Sequence, residues 1–98
     1  MIPLHNLAAE LTTTDYGGGT VLSGVLFDCP APGCARGHVQ LIPYSDAPHH
    51  PITVHGTARN VWQRTGGSSV DDLTLAPSIA VPSCGLHGYV RHGQWCPC

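Results

Sequence analysis

Glycine and proline are spread through the whole chain, and together they restrict its possible folds more than any other feature does. Twelve glycines and nine prolines occur among the 98 residues. Both disfavour helix interiors, because glycine loses much conformational entropy there and proline lacks the amide donor and clashes with the preceding turn. The sequence therefore predicts short strands joined by turns, with at most a short helix in the first 11 residues.

Several short segments have the composition of β-strands, being apolar, β-branched or alternating. They are residues 20–27, 38–44, 52–57, 73–81 with a break at Pro77, and 87–95 with a turn near His92; residues 60–64 carry Trp62 as an expected core residue. Residues 12–19, which end in three glycines, are predicted to form a turn region. The expected fold is one domain over residues 1–98, all-β or β-rich with a short N-terminal helix. We expect a small antiparallel sheet or meander with knuckles like those of a zinc ribbon.

The chain has little material for a hydrophobic core, with one Phe, two Trp and one Met. Domains this small usually need disulfides or a bound metal as an additional staple. The five cysteines are an odd number, and neither a signal peptide nor an apolar membrane span is evident. The sequence therefore predicts a cytoplasmic protein whose cysteines bind metal. Four Arg and no Lys also argue against nucleic-acid binding.

Two pairs of potential metal ligands lie in predicted turns. Cys29 and Cys34 flank a Pro/Gly turn, and Cys84 and His87 form a Cys-x-x-His pair before the last hairpin. Zinc in structural sites takes four such ligands tetrahedrally. The predicted site is therefore one structural Zn²⁺ held by Cys29, Cys34, Cys84 and His87. Two alternatives are that these cysteines are ordinary small buried residues or that they form a disulfide. Cys96 or Cys98 is an alternative to His87 as fourth ligand, although we expect both to belong to a frayed C-terminal tail.

A zinc ion with four protein ligands has no open coordination position, so any catalysis must come from other residues. The sequence contains neither a pair of catalytic carboxylates nor a Gly-rich phosphate loop. Ser78, which follows Pro77 in an apolar segment, and several histidines remain as candidates. A serine in such a position is more often a bland edge residue than a nucleophile.

The order of these motifs resembles a known family. Phe27-Asp-Cys-Pro30 is followed by Gly37-His38, Trp62, Leu75-Ala-Pro-Ser-Ile79 and Cys84-Gly-Leu-His87. This order looks like the BubE-like family, small zinc-containing proteins of phages and of bacterial ubiquitination-like operons. The resemblance covers roughly residues 20–95, and its most specific part is the Leu-x-Pro-Ser-Ile element followed by Cys and His. The first knuckle departs from the family, because a second proline interrupts its spacer.

The resemblance implies a serine peptidase that processes a ubiquitin-like protein or a similar extended tail. Ser78 would be the nucleophile, and His38 is the expected base that takes its proton. His87 is the alternative base, in which case Cys96 or another residue would complete the zinc site. No residue is evident that would orient the imidazole; the guesses are Asp28, Asp71 and Asp72.

A second hypothesis is a non-catalytic zinc ribbon-like binding or adaptor protein of a phage or bacterium. Under either hypothesis we expect a bacterial cytoplasm, that of the host if the protein is phage-encoded. The expected partner is a ubiquitin-like protein or a peptide tail, with neither nucleic acid nor membrane.

Overall fold

A computed structural model describes residues 1–34 and 37–98 and consists almost entirely of strands. The only helical segment among the described residues is one 3-10 turn, Leu4–Leu7. No helix in this part of the chain is long and apolar enough to cross a membrane. The strands are β1 Ile2–Pro3, β2 Glu10–Gly17, β3 Thr20–Asp28, β4 Val39–Ser45, β5 His50–Val54, β6 Thr57–Gly66, β7 Thr74–Ala76, β8 Ile79–Val81, β9 Leu86–Arg91 and β10 Gln94–Pro97.

The strands form two sheets. A four-stranded sheet has the order β1-β10-β9-β8, and a larger sheet has the order β2-β3-β4-β6-β5, with β7 also paired to β6. All strand pairs in the described residues are antiparallel except β4 with β6, which run parallel and pair only at Tyr44–Trp62 and Ser45–Gln63. The predicted all-β class is confirmed.

The largest difference from the sequence-based prediction lies in residues 12–17. This segment was expected to belong to a turn region, but it is part of the edge strand β2, which pairs with β3 from Glu10–Leu26 to Gly17–Thr20. Its run of threonines suits a half-exposed strand, because β-branched side chains fit the pleated surface. The predicted short N-terminal helix is only the single 3-10 turn.

The inner faces of both sheets contribute to one buried cluster. Phe27 from the larger sheet and Trp95 from the smaller one lie with ring centroids 6.0 Å apart. Gly88 makes this packing possible, because a Cβ at that position would lie 2.7 Å from the Trp95 ring. Cys29 and Cys84 pack against the edge of the same cluster. The two sheets therefore meet beside the cysteines.

Two bends in the chain determine how neighbouring strands are placed. The β5–β6 hairpin turns at His55 and Gly56, both with positive φ, as a two-residue type I′ turn requires. The segment predicted to bend at Pro77 divides there into β7 and β8, with a cis peptide bond between Ala76 and Pro77. This division carries the chain from the larger sheet to the smaller one, and Ser78 lies at the crossing.

Candidate metal centre

The connection between β3 and β4 brings three potential ligands together within ten residues of sequence. Cys29 follows the last residue of β3, and its N–H donates to the carbonyl of His38 at 2.9 Å, which closes the hairpin just before β4. Cys34 lies in the intervening turn, where its N–H donates to the carbonyl of Ala31 at 3.0 Å. This turn therefore presents two thiols and one imidazole on the same side.

The fourth potential ligand comes from the connection between β8 and β9. The N–H of Cys84 donates to the carbonyl of Val81 at 3.2 Å, and Gly85 then adopts a positive φ of 73°. A left-handed conformation of this kind is readily adopted by glycine, which has no Cβ to clash. The turn is tight enough to hold the Cys84 thiol against the first connection, so residues from the two sheets meet at one point.

The donor atoms of Cys29, Cys34, His38 and Cys84 all lie within 4.8 Å of one another. Cys29 Sγ is 2.7 Å from Cys34 Sγ and 3.8 Å from Cys84 Sγ, and Cys34 Sγ is 3.2 Å from His38 Nδ1. A disulfide bond has a length of about 2.0 Å, and all five cysteines are free thiols here. Three thiols and one imidazole form a possible site for a thiophilic metal ion.

Gln40, which belongs to no recognisable sequence motif, lies directly behind the cluster. Only 7% of its surface is exposed, and it is the one buried polar or charged side chain in the described part of the chain. Its Nε2 donates to Cys84 Sγ at 3.2 Å and to Cys29 Sγ at 3.4 Å. Gln40 is therefore an outer hydrogen-bond partner of two of the potential ligand sulfurs.

The two closest thiols are strongly unequal in acidity. Burial would raise the pKa of Cys29, but hydrogen bonds from Cys34, Gln40 and the Ala31 N–H together lower it to about 7. Burial and the hydrogen bond that Cys34 donates to Cys29 raise the pKa of Cys34 to about 12. Of these two thiols, Cys29 is therefore the one whose surroundings favour the thiolate.

The structure brings three of the four predicted ligands together and places His38 beside them instead of His87. Leu86 is buried in the core, so the alternation of side chains along β9 turns His87 to the opposite, exposed face. His87 thus points away from the core edge where Cys84 lies. The alternation of Leu86, Gly88 and Val90 as inward positions is the sequence signal that could have indicated this.

Neither Cys96 nor Cys98 joins the cluster. Cys96 faces Tyr89 across the β9–β10 ladder, with its Sγ 3.9 Å from the carbonyl of Gln94. The N–H of Cys98 donates to the carbonyl of His87 at 3.0 Å, so the last residue is held on the same exposed sheet face as His87.

Ser78 lies one residue before β8 and is half-buried. Its carbonyl accepts a hydrogen bond of 3.2 Å from Trp62 Nε1, while its hydroxyl makes no hydrogen bond to an imidazole of any described residue. Of the guessed orienting residues, Asp28 is exposed at the end of β3. Asp71 Oδ1 is 3.1 Å from His5 Nδ1, and Asp72 Oδ1 accepts hydrogen bonds from the N–H groups of Ser68 and Ser69 in its own loop.

Searches of protein-family models, of curated proteins and of solved structures find no match to this chain.

Proposed function

We propose that Cys29, Cys34, His38 and Cys84 bind one zinc ion whose role is structural. In a tetrahedral site with Zn–S distances of about 2.3 Å, neighbouring sulfurs lie about 3.8 Å apart. The Cys29–Cys84 separation of 3.8 Å fits this value, whereas the Cys29 and Cys34 sulfurs, 2.7 Å apart, would have to move apart to bind the same ion. Four protein ligands leave no position for a substrate, so the ion would hold the two sheets together and would not take part in a reaction.

The zinc proposal is tested by replacing His38 and His87 in parallel. His38→Asn should lower the zinc content and stability of the purified protein, whereas His87→Asn should retain one zinc per chain by elemental analysis. Cys84→Ser should also lower the zinc content, and Cys98→Ser is its matched control, which should retain the zinc. Full zinc content in His38→Asn, with loss in His87→Asn, would overturn this assignment of the fourth ligand.

We further propose that the metal-braced fold is a serine peptidase, with Ser78 as nucleophile and His87 as base. The placement of His38 in the cluster is the observation that carries this choice, because it leaves His87 free of the metal. Ala80 pairs with His87, and Ile79 between Ala80 and Ser78 is fully buried. Alternation along the chain therefore puts Ser78 on the same outer face as His87.

When the β8–β9 register is continued by one residue beyond Ile79, Ser78 and His87 are diagonal neighbours across the two strands. Diagonal residues in antiparallel pairs lie about 7–8 Å apart at Cα, within the reach of a long side chain. An imidazole of His87 turned towards Ser78 could accept the hydroxyl proton as the oxygen attacks a carbonyl carbon. The same proton would then pass to the leaving amine, and water would release the acyl group by the reverse transfer.

The proposed substrate is a ubiquitin-like protein or a similar extended tail, as the motif resemblance implies. The same resemblance supports a bacterial or phage-encoded protein, and free thiols are compatible with a reducing cytoplasm. The rival proposal is a non-catalytic adaptor built on the same zinc-braced fold.

Labelling with a fluorophosphonate probe separates the two proposals. Wild type and Ser83→Ala, which changes a nearby exposed serine, should be labelled at equal rates, and Ser78→Ala should not be labelled. His87→Gln should slow labelling by about 100-fold or more, the usual contribution of a general base. Equal labelling of Ser78→Ala, or no labelling of zinc-loaded wild type, would refute the peptidase and favour the adaptor.

A further inference from the structure

Strands β4 and β6 form a fork. They pair at Tyr44–Trp62 and Ser45–Gln63, but the preceding halves of both strands have no pairing with each other in the described residues. The free half of β4 is bonded only to β3, and that of β6 only to β5. A groove of about 600 Å³ occupies the opening and extends to the end of β8.

Backbone groups of β4 point into this groove. The Cys29–His38 hydrogen bond fixes the alternation of the β3–β4 ladder, in which every second residue of β4 bonds to β3. Val39, Leu41 and Pro43 are the residues that direct their backbone groups to the other side. Pro43 fits this position because its missing N–H costs no hydrogen bond to β3.

Backbone groups of β6 face the groove from its other wall. The type I′ turn at residues 55–56 makes Val54 and Thr57 a hydrogen-bonded pair, so Ala58 and Asn60 direct their backbone groups away from β5. Both residues line the groove. An extended chain between these walls would find donors and acceptors along both.

The side chains around the groove are mostly apolar, with one cation. Leu41, Trp62 and Val81 supply apolar surface, and Arg59 is the one charged residue in the lining. Among the described residues, Arg59 has no carboxylate within 4.0 Å, whereas Arg64 is paired with Asp46 and Arg91 stacks on Tyr89. Arg59 lies near the middle of the β6 wall, where a side chain of the occupant would meet it.

We propose that this groove binds an extended peptide segment by strand addition, with one acidic side chain placed at Arg59. Unpaired strand edges recognise peptides through main-chain hydrogen bonds, and the pockets beside them select side chains. The unpaired cation selects a carboxylate near the centre of the segment. This inference stands without the proposed peptidase, although Trp62 links the groove to Ser78 through its hydrogen bond to the Ser78 carbonyl.

The test uses a fluorescein-labelled heptapeptide, blocked at both ends, that alternates threonine and valine around a central glutamate. Zinc-loaded wild type should bind it saturably by fluorescence anisotropy, with a change in Trp62 emission. The same peptide N-methylated at alternate residues should lose at least ten-fold in affinity, because it cannot pair with the strand edges. A peptide with central glutamine should bind about 1.5- to 5-fold more weakly, as expected for an exposed ion pair.

Variants of the protein complete the design. Arg59→Gln should abolish the preference for glutamate over glutamine, and Arg91→Gln, outside the groove, should retain it. Ser78→Ala should bind like wild type, so a failed peptidase and a failed docking surface give different results. No saturable binding, equal binding of the N-methylated peptide, or an unchanged preference in Arg59→Gln would overturn the proposal. Concentration-dependent dimerisation that blocks the peptide would also overturn it, in favour of pairing between two copies.

Discussion

Replacing Gln40 with leucine should weaken zinc binding without removing a ligand. Gln40 donates to Cys84 Sγ at 3.2 Å and to Cys29 Sγ at 3.4 Å from a position that is 7% exposed. Leucine fills a similar volume but supplies no donor, so two sulfurs would each lose one hydrogen bond. Hydrogen bonds to charged groups contribute about 1.5–3 kcal/mol each. Part of this loss is offset because burying leucine costs less desolvation free energy than burying the glutamine amide.

The net effect expected for Gln40→Leu is a 10- to 100-fold loss in zinc affinity, the usual result of removing an outer partner of a metal site. That range corresponds to about 1.4–2.7 kcal/mol. Competition with a chromophoric chelator measures the affinity, and the cobalt-substituted protein should keep its tetrahedral absorption bands, because all four ligands remain. Gln63→Leu is the matched control, since the Gln63 amide donates only to the carbonyl of Asp46.

A change of less than two-fold in Gln40→Leu, or an equal change in Gln63→Leu, would refute the proposed role of Gln40. Altered cobalt bands would instead mean that the coordination itself had changed, and the measured loss could not be assigned to the two hydrogen bonds.

Three other changes have defined outcomes. Removing zinc with a strong chelator should unfold the chain, because structural zinc contributes about 10–16 kcal/mol in small modules; a persistent far-ultraviolet and Trp spectrum would contradict this. Gly88→Ala should cost about 1–3 kcal/mol in urea unfolding, since its Cβ would lie 2.5 Å from the Cys96 carbonyl oxygen and 2.7 Å from the Trp95 ring, whereas Gly66→Ala, with 3.9 Å of clearance, should be near neutral. Hydrogen bonds from the Ser69 backbone and hydroxyl lower the pKa of Asp72. Its folded pKa is therefore below the unfolded value near 3.8, so Asp72→Asn should destabilise at pH 7 and the difference from wild type should shrink as the pH falls below about 4; a difference that is constant with pH would contradict this.

Many strands of this fold could be predicted from the residue types in short segments of the sequence. The segments around Val25, Ile42 and Val90 form strands because each combines β-branched or apolar residues with nearby turn signals. The edge strand β2 was missed because its pairing depends on β3, and its own run of threonines has no fully buried face that marks a strand.

The metal cluster was predicted in part because two cysteine-bearing turns can be recognised locally. The choice between His38 and His87 could not be made from spacing, since each lies within four residues of a cysteine. It depends on which face of its strand each imidazole takes. For His87 the alternation of Leu86, Gly88 and Val90 indicates the outer face, and the burial of Leu86 confirms it. Gln40 had no local signal, because its two partners lie 11 and 44 residues away.

The division of the four proposed ligands between the two connections has a consequence for the order of assembly. Cys29, Cys34 and His38 are close in sequence, whereas Cys84 is 55 residues from Cys29. A nascent or unfolded chain can therefore hold an ion through the first three groups at little cost in loop entropy, and only the fourth bond requires closure of a long loop. Binding of the ion by these three groups would precede docking of the smaller sheet. Coordination by Cys84 Sγ would follow only when the last third of the chain has folded.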